Sequence, residues 1–486
     1  MRLFLTTSLG QIGAILRAAS STHLINSRSS AAMPRSFNQA ACNTCRVRKV
    51  KCDEAMPVCQ RCSKAQRYCD RTAPVPQFHN NTSREDAAKP DSTAASSAPF
   101  PAPTNPRRAL QNPSIARYFH HYIAHIAPWY DLSDASSTFA TRLPEASLER
   151  ALPLSAILAL SAVHMSRTSA PSARAAAEFY HGHCVRLLIE LTAGDYGDED
   201  AQGLALASVC LLRSYEILSE EVDPNRHLQG AYSLAAHRNP LNDYPGSGIR
   251  AAGFWNYLRE DITFSLFRQC PLKIDLERMP LPVRHDTDQD RLNTVSLILG
   301  RIINACFSST VTEEAWAFLF GMLEDWRSGL PSRFAPFAKT DRGLGLALPS
   351  IWMLRDCHAA ALHYRLVSTT LLCTHATPER LPDLRALLDD DDDRAGVGIT
   401  ALDVAESLAL DVCGVAFTTD APAVQVNSFG PIAFCARFLR AEPARQELVR
   451  RLLACRRSIG WPVQRLVADL EAEWRVPTAR ATRDDE

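Results

Sequence analysis

The chain has 486 residues, 46% of them apolar and 22% charged, with Lys plus Arg equal to Asp plus Glu at 53 each. That length exceeds one ordinary domain, and that composition belongs to a folded globular protein, which excludes a disordered or fibrous chain. No apolar run reaches the roughly 20 residues a membrane-spanning helix needs; the best, around Leu152 to Met165, is shorter and interrupted by Ser and His, so no membrane partner is expected.

Residues 1–41 carry Arg2, Arg17, Arg28 and Arg35 and no acidic residue. This composition resembles a mitochondrial transit peptide, but Met33 as the true start is the favoured reading, since it sets the cysteines that follow close to the N-terminus. The segment is expected to be a disordered extension or to lie upstream of the start.

The next segment carries the chemistry. Cys42 and Cys45 are followed by Cys52, and Cys59 and Cys62 by Cys69, so that one half-motif is repeated: two cysteines three positions apart, then a third seven further on. Zinc takes four ligands in tetrahedral array, and thiolate is its favoured donor in structural sites. Two separate zinc ions need eight bonds. Six thiolates supply them only if two sulfurs bridge, which gives a closed binuclear cluster with no open position for water. A disulfide framework would need an oxidising compartment, and a zinc module used for protein binding alone is the other alternative.

Basic residues crowd the same segment. Arg46, Arg48, Lys49, Lys51, Arg61, Lys64, Arg67 and Arg71 stand against Asp53, Glu54 and Asp70, an excess of five positive charges. Two zinc ions and six thiolates together carry two negative charges, so the metallated module remains basic and suits a phosphate backbone.

From 72 to 114 the chain is rich in Pro, Ser, Ala and Asn, including Pro74, Pro76, Pro90, Pro99, Pro101, Pro103, Pro106 and Pro113, and reads as a disordered linker. It lacks the apolar a and d positions of a zipper. Beyond Ile115 apolar residues recur at helical spacing, as at Leu154, Leu158 and Val163, or Phe254, Leu258, Ile262 and Leu266. Strand alternation is hardly visible, so 115–476 is read as a helical domain and 477–486 as a tail. The acidic run Asp389 to Asp393 reads as a solvated loop, with an acidic activation segment as the sharper alternative.

The six-cysteine spacing with a basic stretch after the second cysteine resembles the fungal zinc binuclear-cluster transcription factors. That resemblance implies a small metal-stabilised Zn(2)-C6 cluster domain over 42–71, holding two Zn2+ ions, plus a large all-α regulatory domain. Cys42 and Cys59 would bridge; Cys45 and Cys52 would complete one zinc, Cys62 and Cys69 the other. Pro57 matches the family's loop proline, which is commonly cis. Arg48 and Lys49 fall where family members reach base edges of a CGG triplet in the major groove, although Arg48 stands where Lys is usual. Arg46, Lys51, Arg61 and Lys64 would hold phosphates. The segments RYFHHYIAHIAPWYDLSD, LPLSAILALSAVHMS, HLQGAYSLAA and GFWNYLREDITFSLFRQCPLKIDL resemble the family's regulatory domain. The implied function is sequence-specific regulation of RNA polymerase II genes in the nucleus, with double-stranded DNA and the transcription machinery as partners. Homodimer and monomer both fit.

Weaker signals point elsewhere. His120, His121 and His125, and likewise His181, His183 and Cys184, could be imagined as metal ligands, but surface or core histidines are the simpler reading. The nine scattered cysteines from Cys184 to Cys455 read as small buried hydrophobes. No HExxH, Walker loop or catalytic Cys/His spacing is present, and no enzyme is expected. The rival functions are a zinc-stabilised protein-interaction adaptor and, on the first 41 residues alone, a mitochondrial helical protein.

Overall fold

The computed structural model describes residues 59–64, 100–193, 199–220, 225–235, 248–276, 279–282, 285–308, 310–340, 347–385 and 400–475. Residues 59–64 belong to one compact unit and the rest to another. The N-terminal extension, the acidic run and the C-terminal tail lie outside the described residues.

The first unit contributes helix α1, Gln60–Lys64. The second opens earlier than its sequence suggests. Residues 100–114, expected to be linker, begin the packed fold. Phe100 sets its ring 5.8 Å from that of Phe179 and 6.5 Å from Tyr180. Two Asn-Pro pairs then start helices: Asn105 caps α2, Pro106–Ala109, and Asn112 caps α3, Pro113–His121. The proline at the first helical position has its φ preset and lacks an N–H that would have no partner there. The Asn side chain accepts the N–H groups that follow, which at Asn112 are those of Ser114 and Ile115. Proline-rich composition here marks helix starts.

A π-turn, Tyr122–Ile126, continues α3 into a loop. Asp131 ties that loop by accepting the N–H groups of Phe139 and Ala140 at 2.8 Å each. Helices α4 (Arg142–Ser147), α5 (Ala151–Thr168), α6 (Arg174–Ala193), α7 (Glu199–Glu220), α8 (Arg226–Ala235) and α9 (Ile249–Arg268) follow. After these come α10 (Asp288–Ser308), α11 (Glu313–Ser328), a two-residue hairpin of β1 (Ala338–Lys339) and β2 (Ile351–Trp352), and α12 (Asp356–Cys373). The unit ends with α13 (Leu381–Arg385), α14 (Ala401–Phe417), α15 (Pro422–Cys435), α16 (Glu442–Ser458) and α17 (Gln464–Arg475). The antiparallel ladder pairs Ala338 with Trp352 and Lys339 with Ile351; a two-residue strand is too short to show alternation.

Helix α5, ALPLSAILALSAVHMSRT, is apolar on every side and is buried from Pro153 to Met165. A helix hydrophobic all round must sit inside the protein. It does so between α6 and α7; α7 packs on α8 and α9, α9 on α15, and α12 on α10, α14 and α15. Leu258, Ile262 and Leu266 of α9 are fully buried, as their spacing predicts, with Phe254 half-buried. Each such Leu or Ile contributes about 1.5–3 kcal/mol relative to exposure. Eight of the nine scattered cysteines are buried in this core, Cys270 being half-buried. Burial alone pushes the Cys306 thiol up to about 12, which makes it an inert hydrophobe.

The loop before α4 is locked onto α9 by a buried cation. Arg259 donates to Ser133 Oγ at 2.8 Å, to the Tyr130 carbonyl at 3.3 Å and to Asn256 Oδ1 at 2.5 Å. Asn256 itself donates to the same Tyr130 carbonyl at 2.9 Å.

Candidate zinc and nucleic-acid site

Helix α1 starts immediately after Cys59. Cys59 and Cys62 are fully buried, whereas Gln60, Ser63 and Lys64 of the same segment are exposed. Residues three apart on a helical turn share a face, so the turn sends both thiols to the buried side and Lys64 to solvent. The Cys62 N–H donates to Cys59 Sγ at 3.4 Å, and the Ser63 N–H to the Cys59 carbonyl at 3.0 Å.

An amide N–H donated to sulfur favours its ionised form, and the thiolate is the metal ligand. Two sulfurs on one side of a single turn are what a Cys-x-x-Cys half-site offers a tetrahedral ion. The donor set therefore fits zinc. Cys42, Cys45, Cys52 and Cys69 lie outside the described residues, as do Arg46, Arg48, Lys49 and Lys51. Arg61 is a residue of α1, and Lys64 stands exposed at its C-terminal end.

In the helical unit the histidines separate by partner. His181 Nε2 lies 3.0 Å from His227 Nε2, and its ring stacks on Tyr215 at 4.3 Å. His183 Nδ1 pairs with Ser155 Oγ at 3.0 Å, and the buried Cys184 thiol faces the Leu152 carbonyl at 3.7 Å. These three residues turn to different neighbours and form no joint site. His120, His121 and His125 do come together, with a fourth histidine that the sequence did not single out, His164. Forty-three residues separate His121 from His164, so only the packing of α3 on α5 brings them into contact.

Among the described residues, Asp288, Cys357 and His358 bring three donor atoms within 4.8 Å of one another. The Asp288 carboxylate is already engaged by three side chains. Asp288 receives Arg333 at 2.7 Å, Arg355 at 3.3 Å and His358 at 2.9 Å. The Arg333 hydrogen bonds hold its carboxyl down at about 2, while burial pushes the Cys357 thiol up to about 11. This is a structural hub joining α10 to α12.

Residues 40–76 match the Fungal Zn(2)-Cys(6) binuclear cluster domain, and residues 117–260 match the Fungal specific transcription factor domain, which runs here from α3 into α9. Over those residues the chain is similar to the fungal Zn(2)-C6 transcription factors, which the two matched domains characterise. The chain is 27% identical over 134 residues to the Zn(2)-C6 fungal-type transcription factor afumD of Aspergillus fumigatus. That alignment covers 27% of this chain and 34% of the relative, so about a third of the relative's length is spanned. No solved structure matches. Among the described residues, no helix is long and apolar enough to cross a membrane.

Proposed function

We propose that the chain is a nuclear regulator of RNA polymerase II genes that binds duplex DNA sequence-specifically through a two-zinc cluster at 42–71. The observation that carries this reading is the six-cysteine spacing, in which the Cys59–Cys62 half-site has both thiols buried on one side of a helical turn. Cys42 and Cys59 bridge the ions, Cys45 and Cys52 complete one, and Cys62 and Cys69 complete the other. Zinc supplies the folding free energy of a module too small to build a core.

Arg48 and Lys49 read base edges of a CGG-like triplet by donating to guanine O6 and N7. Arg46, Lys51, Arg61 and Lys64 hold phosphates and set the register. Behind the cluster, a linker from 72 to about 99 leads to the helical regulatory unit, through which the transcription machinery is engaged. Loss of zinc releases the basic residues from their fixed geometry, so binding is lost with the metal.

The test is a salt titration of binding to a labelled duplex containing CGG triplets, with and without chelator. Four phosphate-holding side chains give a slope of log affinity against log salt of roughly −3 to −4, at about −0.9 per phosphate. Binding that ignores both salt and chelator would favour the zinc-stabilised protein-interaction adaptor instead.

A further inference from the structure

His120, His121 and His125 line an open pocket of about 470 Å3 together with His164 of α5. His121 Nε2 lies 2.8 Å from His164 Nδ1, so two ring nitrogens face each other with one hydrogen between them. The His125 ring, four residues after His121, sits 4.8 Å from the His121 ring. His125 is exposed, with its ring against that of His121.

The second nitrogen of His164 adds an independent observation. His164 is only 6% exposed, and the Ile459 backbone is a hydrogen-bond partner of its ring. Metal-ligating histidines characteristically direct their remaining N–H to a carbonyl of this kind, which fixes the tautomer.

We propose that His121, His125 and His164 form a further metal site, for a borderline divalent ion such as Zn2+, with its fourth position open to the cavity. Zinc–nitrogen bonds of about 2.0–2.1 Å in tetrahedral array put neighbouring nitrogens roughly 3.3 Å apart. His121 and His164 therefore need to separate by only about half an ångström, whereas His125, whose nitrogens do not lie within 4.8 Å of both others, has to rotate inward to complete the set. The ion replaces the shared hydrogen, which His121 carries on Nδ1 instead of Nε2, while His164 keeps its proton on Nε2 towards Ile459. No net proton is released.

The lining chemistry selects the ion. Among the lining residues there is no carboxylate, which disfavours Ca2+ and Mg2+, and imidazole suits Zn2+, Ni2+ and Cu2+. Burial holds His121 and His164 down at about 4, so both rings are neutral near pH 7, as ligation requires. Arg117, the one cation beside the four histidines, opposes the ion. Occupation would tie the π-turn Tyr122–Ile126 to α5, in keeping with the frequent use of π-turns at functional sites.

Counting this ion as the third rests on the two-zinc cluster, and the test separates the two sites. The full chain is dialysed against buffered Zn2+, and bound zinc is counted by elemental analysis. Three ions per chain are expected, falling to two in His125→Ala, whose exposed side chain is not needed for folding, and in His164→Gln. Cys59→Ser should lose the cluster pair and keep one. In competition with a chelator, the third ion should be held at least about tenfold less tightly in His125→Ala, since even outer-shell changes cost 10–100-fold. Arg117→Ala should hold it more tightly. A Cys59→Ser chain that binds no zinc, or an ion count unchanged by His125→Ala together with His164→Gln, would overturn the proposal.

Discussion

The Cys62 N–H donates to Cys59 Sγ across 3.4 Å, so the turn that carries the half-site also stabilises the thiolate it presents. Cys59→Ser should therefore release the two cluster zinc ions and abolish DNA binding while leaving the helical unit folded, because the two belong to separate compact units. Zinc content, far-UV circular dichroism and duplex binding measured on one preparation check this. Retained DNA binding after loss of the metal would defeat the cluster account.

The division of labour among the basic residues gives a second expectation. Arg48→Ala and Lys49→Ala should relax base preference, each good bidentate contact carrying about 1–3 kcal/mol of discrimination. Lys51→Ala should weaken binding to all sequences alike and lower the salt slope by about one. Competition between CGG-containing and scrambled duplexes distinguishes them; the same profile from all three variants would remove the assignment.

Acid should loosen the junction of α3 with α5. Burial lowers His121 and His164 from 6.5 to about 4, helped at His121 by His164, His125, Arg117 and His120, and at His164 by His125 against an opposing hydrogen bond to the Ile459 backbone. The folded-state values lie below the unfolded ones, so the native state favours neutral rings. Their contribution is complete above about pH 6.5 and is lost as pH falls towards 4. In metal-free protein, the melting temperature of wild type should drop more steeply across this window than that of His164→Gln. Parallel curves would show that these rings do not govern the drop.

Helices α9 and α15 approach so closely at Gly430 that an added Cβ would sit 2.9 Å from Thr263 Cα. The obstacle is backbone, which cannot rotate away. Gly430→Ala should cost about 1–3 kcal/mol by overpacking. Gly321 lies within α11 with open space around its Cβ direction, and Gly321→Ala should stabilise by about 0.5–1 kcal/mol through helix propensity. Denaturant midpoints of the two variants should move in opposite directions; a shift of Gly430→Ala to higher stability would refute the tight contact.

The metal chemistry was legible because ligand spacing is a local property: Cys59, Gln60, Arg61 and Cys62 occupy one turn, and no tertiary information is needed to read it. The helical character beyond Ile115 was legible for a related reason, since Leu258, Ile262 and Leu266 report their burial through spacing along α9. The start of the domain was not. Pro106 and Pro113 carry the composition of a linker, and only the asparagine before each tells a helix start from an open chain. The pairing of His121 with His164 and the clustering of Asp288 with Arg333, Arg355 and His358 depend on helix packing across many residues, for which the sequence holds no periodic signal.

The central claim is zinc-dependent reading of DNA sequence, and selection from random duplexes tests it most directly. The full chain, zinc-loaded or treated with chelator, is passed through rounds of selection at moderate salt, and the recovered duplexes are sequenced. The account predicts enrichment of CGG-like triplets with zinc and none without it, the number and spacing of triplets then showing whether monomer or dimer binds. No enrichment from the zinc-loaded chain, or the same enrichment after chelation, would contradict it.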